Sequence, residues 1–157
     1  KLIKVHEDAH SRFDAKWRKY QYHLHFEKDP FKSFTSYHFT LPGFNVEMAK
    51  KAAMIINQYK DFKVLSKHNP DVASTECNIM ESLLIEKNGS LVYHVKANRF
   101  LHNMVRRIVG LIIQTAMSKI SLAEIHNSLQ HQEPFKYNFT APACGLFLET
   151  VHYDFLK

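Results

Sequence analysis

The sequence predicts an α+β fold: a mainly antiparallel sheet with helices packed on one face. Three observations carry this. Several short segments alternate apolar and polar residues with period two, as half-covered strands do. Two longer segments repeat apolar residues at helical spacing. The order is strand, helix, strand, strand, helix, helix, strand. Apart from the extra helix this is the split βαβ, ferredoxin-like order.

Each element has its own signature. In residues 18–26, Tyr20, Tyr22, Leu24 and Phe26 fall on one face; Lys19, Gln21, His23 and His25 fall on the other and read as surface. Residues 45–59 read as a helix capped by Asn45, with Val46, Ala49, Ala53 and Ile56 on one stripe. Residues 77–86 and 91–97 read as strands, joined by Asn88-Gly89, the preferred hairpin dipeptide. Phe100 to Met117 follows as a helix, apolar at Leu101, Val105, Ile108 and Ile112. Ser121 caps a short helix over Leu122 to Gln130. Leu146 to Phe155 alternates again as a last strand. Loops near Pro30, Pro70 and Pro134 separate elements rather than domains, so residues 1–157 are expected to form a single domain.

Composition removes several classes. With 4 Gly, 5 Pro and no heptad run, collagen, coiled coil and long disorder are excluded. The longest apolar stretch, Ile108 to Ile113, falls far short of the roughly 20 residues of a membrane span. The opening residues hold no signal-peptide core, and two cysteines make no disulfide framework, so a cytoplasmic protein is expected. The chain begins on Lys1 rather than Met, which sets the expectation of a piece of a longer protein. Cys77 and Cys144 read as two small semi-buried side chains. The formal charge is +6. Lys87, Lys96, Arg99, Arg106, Arg107 and Lys119 supply all of it, since no Asp or Glu occurs between Lys87 and Ala123. A local excess of this kind points to an anionic partner, nucleic acid first; a solvated helix face is the alternative, and charge alone does not separate the two.

His6-Glu7-Asp8-Ala9-His10 satisfies H-E-x-x-H, the zinc-protease pattern. That pattern needs a long buried helix, whereas a strand begins soon after, and no third ligand is placed by spacing. No phosphate-binding glycine loop and no G-x-S-x-G elbow occurs. Lys96 to Gly110 is more informative. It passes from a strand end into a helix, with Asn103, Arg106, Gly110 and Gln114 on one stripe opposite the apolar one. Arg106 then emerges from the polar face, as an exposed arginine or as a cation that orients a carboxylate or phosphate. Gly110 lets something approach closely.

The stretch KANRFLHNMVRRIVG closely resembles the K-A-N-x-F-L-H-N-M-V-R-x-I-V-G signature of TruA-type tRNA pseudouridine synthases. His10 to Ala15 is similar to the family's H-A-R-F-D-A, and Arg18 to Tyr22 to its R-x-Y-x-Y strand. Asp61 to Leu65 resembles D-F-x-x-F, and Thr140 to Leu148 resembles T-A-P-A-x-G-L-Y-L. Together these cover nearly the whole chain, in the family's order.

The resemblance implies an isomerase that converts uridine to pseudouridine in the anticodon arm of tRNA, with the pseudouridine synthase fold. It implies no metal or organic cofactor: an aspartate attacks the sugar or initiates base loss, uracil rotates, and a carbon–carbon glycosidic bond forms. Tyr20 matches the active-site tyrosine against the target base, Arg106 the arginine paired with the aspartate, and Leu146 the leucine of the uridine pocket. Asn103, Lys96 and Arg99 are carried over as substrate-binding. The family's nucleophile lies in a G-R-T-D-A-G-V-H-A motif upstream of H-A-R-F, and no G-x-T-D occurs here. The chain is therefore expected to be the C-terminal part of such an enzyme, inactive alone, with an N-terminal half as partner. Homodimers are common in the family. Asp71 to Asn78 and the segment 130–139 depart from the family's more basic pattern, so fewer RNA contacts are expected there. Two other classes compete. A non-catalytic RNA-binding module shares the element order, but its K/R-G-F/Y sheet motif is absent. A zinc hydrolase using the HEDAH segment is the other, tested by metal content.

Overall fold

A computed structural model describes residues 4–40, 42–67, 73–136 and 139–156. The Pro70 loop, with Asp71 and Val72, and residues 137–138 of the other departing segment lie outside the described residues. The elements are β1 (Trp17–His25), β2 (Tyr37–His38), α1 (Val46–Ile55), β3 (Ile79–Lys87), β4 (Ser90–Ala97), α2 (Met104–Ala116), α3 (Leu122–His131) and β5 (Leu146–His152).

The sheet runs β2-β1-β4-β3, and β5 also pairs with β1. β4 pairs along Arg18 to His25 on one side of β1. The other side is shared: β5 takes Trp17 to Tyr22 antiparallel, and β2 takes Leu24 and His25 in parallel. The path β5-β1-β4-β3 is antiparallel throughout and is the split βαβ order expected. The fold class is thus α+β, as predicted; β2, two residues long, is the parallel exception.

The elements form where local chemistry favours them. Asn45 caps α1 by accepting the Met48 N–H at 3.0 Å. Ser121 and Glu124 form a reciprocal capping box on α3. Asn88 and Gly89 both take positive φ, 50° and 68°, as the two-residue hairpin turn requires. α1, α2 and α3 bury Ala49, Ala52, Ala53, Ile108, Ile112 and Ile125 against Tyr22, Leu24, Leu91, Tyr93 and Val95. The opposite sheet face carries Lys19, Glu81, Lys96 and Trp17, with Lys19–Glu81 at 3.2 Å and the Lys96 ammonium 3.9 Å from the Trp17 ring centre.

Two expectations need correction. α2 begins at Met104, not Phe100, because Asn103 sits in the left-handed region at φ 61° and cannot continue a helix. His25 is not surface but 2% exposed. The β2 segment covers it: His25 Nδ1 meets Ser36 Oγ at 2.8 Å, and its ring stacks on His38. No described helix is long and apolar enough to cross a membrane.

Candidate functional site

The strand signature, the helix signature and the TAPACGLFL segment converge. The face of β1 that meets the helices presents Tyr20 and Tyr22. Tyr20 is half-buried, with the Phe100 ring edge-on at 5.1 Å. Tyr22 is fully buried and donates its hydroxyl to the Pro142 carbonyl at 2.7 Å. Burial, with smaller contributions from Cys144 and Tyr37, pushes the Tyr22 phenol upward, while the Arg106 guanidinium pulls it down. The group therefore stays a neutral donor.

The segment 139–145 is a strap laid across α2 and onto β1. It crosses α2 at Gly110, where an added Cβ would lie 1.9 Å from the Phe139 carbonyl oxygen. The close approach expected of Gly110 is thereby explained. One turn earlier the strap bonds Arg106 twice: the Ala141 N–H donates to the Arg106 carbonyl at 3.0 Å, and Arg106 Nε donates to the Ala141 carbonyl at 2.6 Å. The polar stripe of α2 is thus covered by backbone rather than open to water. The strap ends at Gly145, whose Cβ would stand 2.6 Å from the His23 carbonyl oxygen and 2.8 Å from the Tyr22 ring. Leu146 then starts β5 opposite Tyr22, and Leu148 pairs with Tyr20.

Tyr20 and Leu146 therefore lie on adjacent paired strands, two register positions apart on one face. Arg106 is bonded to Ala141 of the strap that leads into Leu146, and its charge reaches Tyr22. Among the described residues Arg106 forms no ion pair, and its Nε bond is its only side-chain hydrogen bond. The terminal nitrogens of a half-buried guanidinium remain for an incoming acceptor, the bidentate edge that carboxylates and phosphates prefer.

The other expected residues are distributed. Asn103 precedes α2 without a side-chain cap bond. Arg99 lies in the β4–α2 loop, where its charge offsets part of the burial that pushes the Cys77 thiol up to about 11. Lys96 pairs in register with Lys19, so it lies on the sheet face away from Tyr20. Strand alternation alone contained that information. Sequence reasoning missed Arg18, which shares the Tyr20 face and donates to the carbonyls of Arg12, Ala15 and Asn98. It also missed Phe100 as the partner of Tyr20. His6 to His10 forms no helix, and His10 Nδ1 is engaged by backbone N–H groups. No group of three or more metal-ligating side chains occurs among the described residues.

A family profile described as tRNA pseudouridine synthase matches residues 59–154. A protein of Porphyromonas gingivalis called tRNA pseudouridine synthase A is 35% identical over 155 residues, 98% of this chain and 61% of its own length. The protein of that name from Azobacteroides pseudotrichonymphae is 31% identical over 153 residues, again 98% and 61%. The one from Thermoanaerobacter sp. is 32% identical over 152 residues, 95% and 62%. The chain thus spans about three fifths of the length of these relatives.

Proposed function

The chain belongs to the tRNA pseudouridine synthase family, and on that premise we propose that it is the C-terminal part of an enzyme that isomerises uridine to pseudouridine in the tRNA anticodon arm. The observation that carries the reading is Arg106: a half-buried guanidinium held at Nε by the Ala141 carbonyl of the strap that leads into Leu146, its other edge free among the described residues. A carboxylate brought to that edge would be kept ionised and aimed by a charge-assisted pair. Tyr20 would offer an aromatic plane for the base and a phenol for proton handling. Leu146 would exclude water from the pocket. Asn103 and Arg99 approach from the β4–α2 loop, and Lys96 contacts RNA only from the opposite sheet face.

In this reading the nucleophilic aspartate comes from an N-terminal half that pairs with this domain. A homodimer accompanies it on the family resemblance, and a cytoplasmic location on the cysteine usage and the opening residues. The chemistry calls on no metal or organic cofactor. The non-catalytic RNA-binding module is the weaker reading, because Tyr20 is half-buried beneath Phe100 rather than displayed on the open sheet face.

Tritium release from unmodified, uridine-labelled tRNA tests the proposal. The 157-residue chain alone is expected to show no turnover. In the full-length parent, Arg106→Ala should lower kcat far more than tRNA affinity. Turnover by the isolated chain, or wild-type turnover in the parental variant, would refute the assigned roles.

A further inference from the structure

The motif His10 to Asp14 has no task in the catalytic reading, yet its backbone is braced from every side. His10 Nδ1 accepts the Arg12 and Phe13 N–H groups at 3.1 and 3.2 Å. The Asp14 carboxylate accepts the His10 N–H at 2.7 Å, and the Asp14 N–H donates to the His10 carbonyl at 3.0 Å. From outside, Tyr153 donates its hydroxyl to the Ser11 carbonyl at 2.7 Å, and Arg18 donates to the Arg12 carbonyl. The side chains that this turn displays point the other way. Phe13 is 74% exposed. Arg12 is exposed too, its guanidinium 5.6 Å from the Phe13 ring centre, and the His10 ring packs on Phe13 at 4.3 Å. Among the described residues Arg12 makes no ion pair, whereas nearby Lys16 is taken by Asp154 at 3.3 Å.

A fixed backbone carrying an unpaired cation and an open aromatic ring has little ordering cost left for binding. That pair of groups suits single-stranded nucleic acid: every base has a face that stacks on an aromatic ring, and a guanidinium takes a phosphate. The turn is also tied to the Tyr20 side of the sheet. Arg18 projects from the same face as Tyr20, and besides Arg12 it holds the Asn98 carbonyl of the loop whose Phe100 packs on Tyr20.

We propose that the Arg12–Phe13 turn is a subsite for a nucleotide flanking the target uridine, Phe13 stacking on its base and Arg12 pairing with its phosphate. This rests on the tRNA reading above. It is tested by equilibrium binding of unmodified tRNA to the 157-residue chain across a salt series. Both side chains are exposed, so Phe13→Ala and Arg12→Gln should retain the circular dichroism and melting of the parent chain. Phe13→Ala should weaken binding about 5- to 150-fold, the range for removing one base–aromatic stack, with an unchanged salt slope. Arg12→Gln should reduce the magnitude of the slope of log K against log salt by about 0.7, one single-strand phosphate contact. Unaltered binding by both variants would overturn the subsite alone. A Phe13→Ala effect confined to oligomeric state in light scattering would overturn it in favour of a second copy of the chain. No binding by the unaltered chain would overturn the RNA reading of this domain, and the subsite with it.

Discussion

Replacing Gly110 by alanine sets two effects against each other, and the structure decides which wins. Gly110 lies inside α2, where alanine is favoured over glycine by about 1 kcal/mol. That alone predicts stabilisation. The new Cβ would stand 1.9 Å from the Phe139 carbonyl oxygen and 2.8 Å from its carbon, and neither can move without the strap moving. Forcing a group into packed structure costs about 2 kcal/mol at mid-range. Lifting the strap also endangers the two Ala141–Arg106 bonds and the Tyr22–Pro142 bond, and losing two of the three costs about 2 kcal/mol more. The balance is a destabilisation of about 3 kcal/mol, or roughly 6–12 °C in Tm for a domain of this size. Urea unfolding and thermal melts followed by circular dichroism measure it. A Gly110→Ala chain as stable as the parent, or more stable, would show that helix propensity wins and that the strap is not seated where the structure places it.

Two further outcomes follow from buried and capping groups. Desolvation, then His38 and Lys32, hold the His25 imidazole below its ordinary value of 6.5, outweighing Asp29; the unfolded chain therefore takes up the proton first, so stability should be constant in this respect above pH 6.5 and fall as pH drops below it. Tm measured across that range should fall less steeply in His25→Asn, and an equal slope in both chains would remove His25 as the cause. Ser121→Ala removes the α3 capping box and should cost about 1 kcal/mol in urea unfolding; an unchanged midpoint would mean that the first turn of α3 is held by packing alone.

What was legible in the sequence was local. Tyr20, Tyr22 and Leu24 announce a covered strand face because side chains alternate along a strand whatever lies beside it. Asn45, Ser121 and Asn88-Gly89 mark ends and a turn through bonds and dihedrals within a few residues. What was not legible depends on distant chain. The burial of His25 requires Ser36 and the β2 segment to fold over it. The cover on the polar stripe of α2 requires residues 139–142, about thirty positions downstream of Arg106 and Gly110. The late start of α2 turns on one left-handed residue, Asn103, and asparagine visits that region only occasionally, so its identity does not announce the break. Gly110 is the instructive middle case: that something must approach it was readable, and what approaches was not.

The geometry explains why motifs so far apart in the chain belong together. Arg106, Tyr22 and Gly145 all meet backbone of another segment: Arg106 the Ala141 carbonyl, Tyr22 the Pro142 carbonyl, and Gly145 the His23 carbonyl, with the Tyr22 ring beside it. Backbone contacts of this kind are insensitive to the identity of Ala141 or Cys144 side chains but intolerant of any change in strap position. Arg106 is aimed by a carbonyl whose place is set by a crossing at Gly110 on one side and by the β5–β1 register at Leu146 on the other. Site geometry and domain stability therefore share the same bonds. A substitution that loosens the strap should be read first in the melting curve and only then in the chemistry, whereas Arg12 and Phe13, outside that set of bonds, are the positions at which the proposed subsite is expected to be tested with the fold left intact.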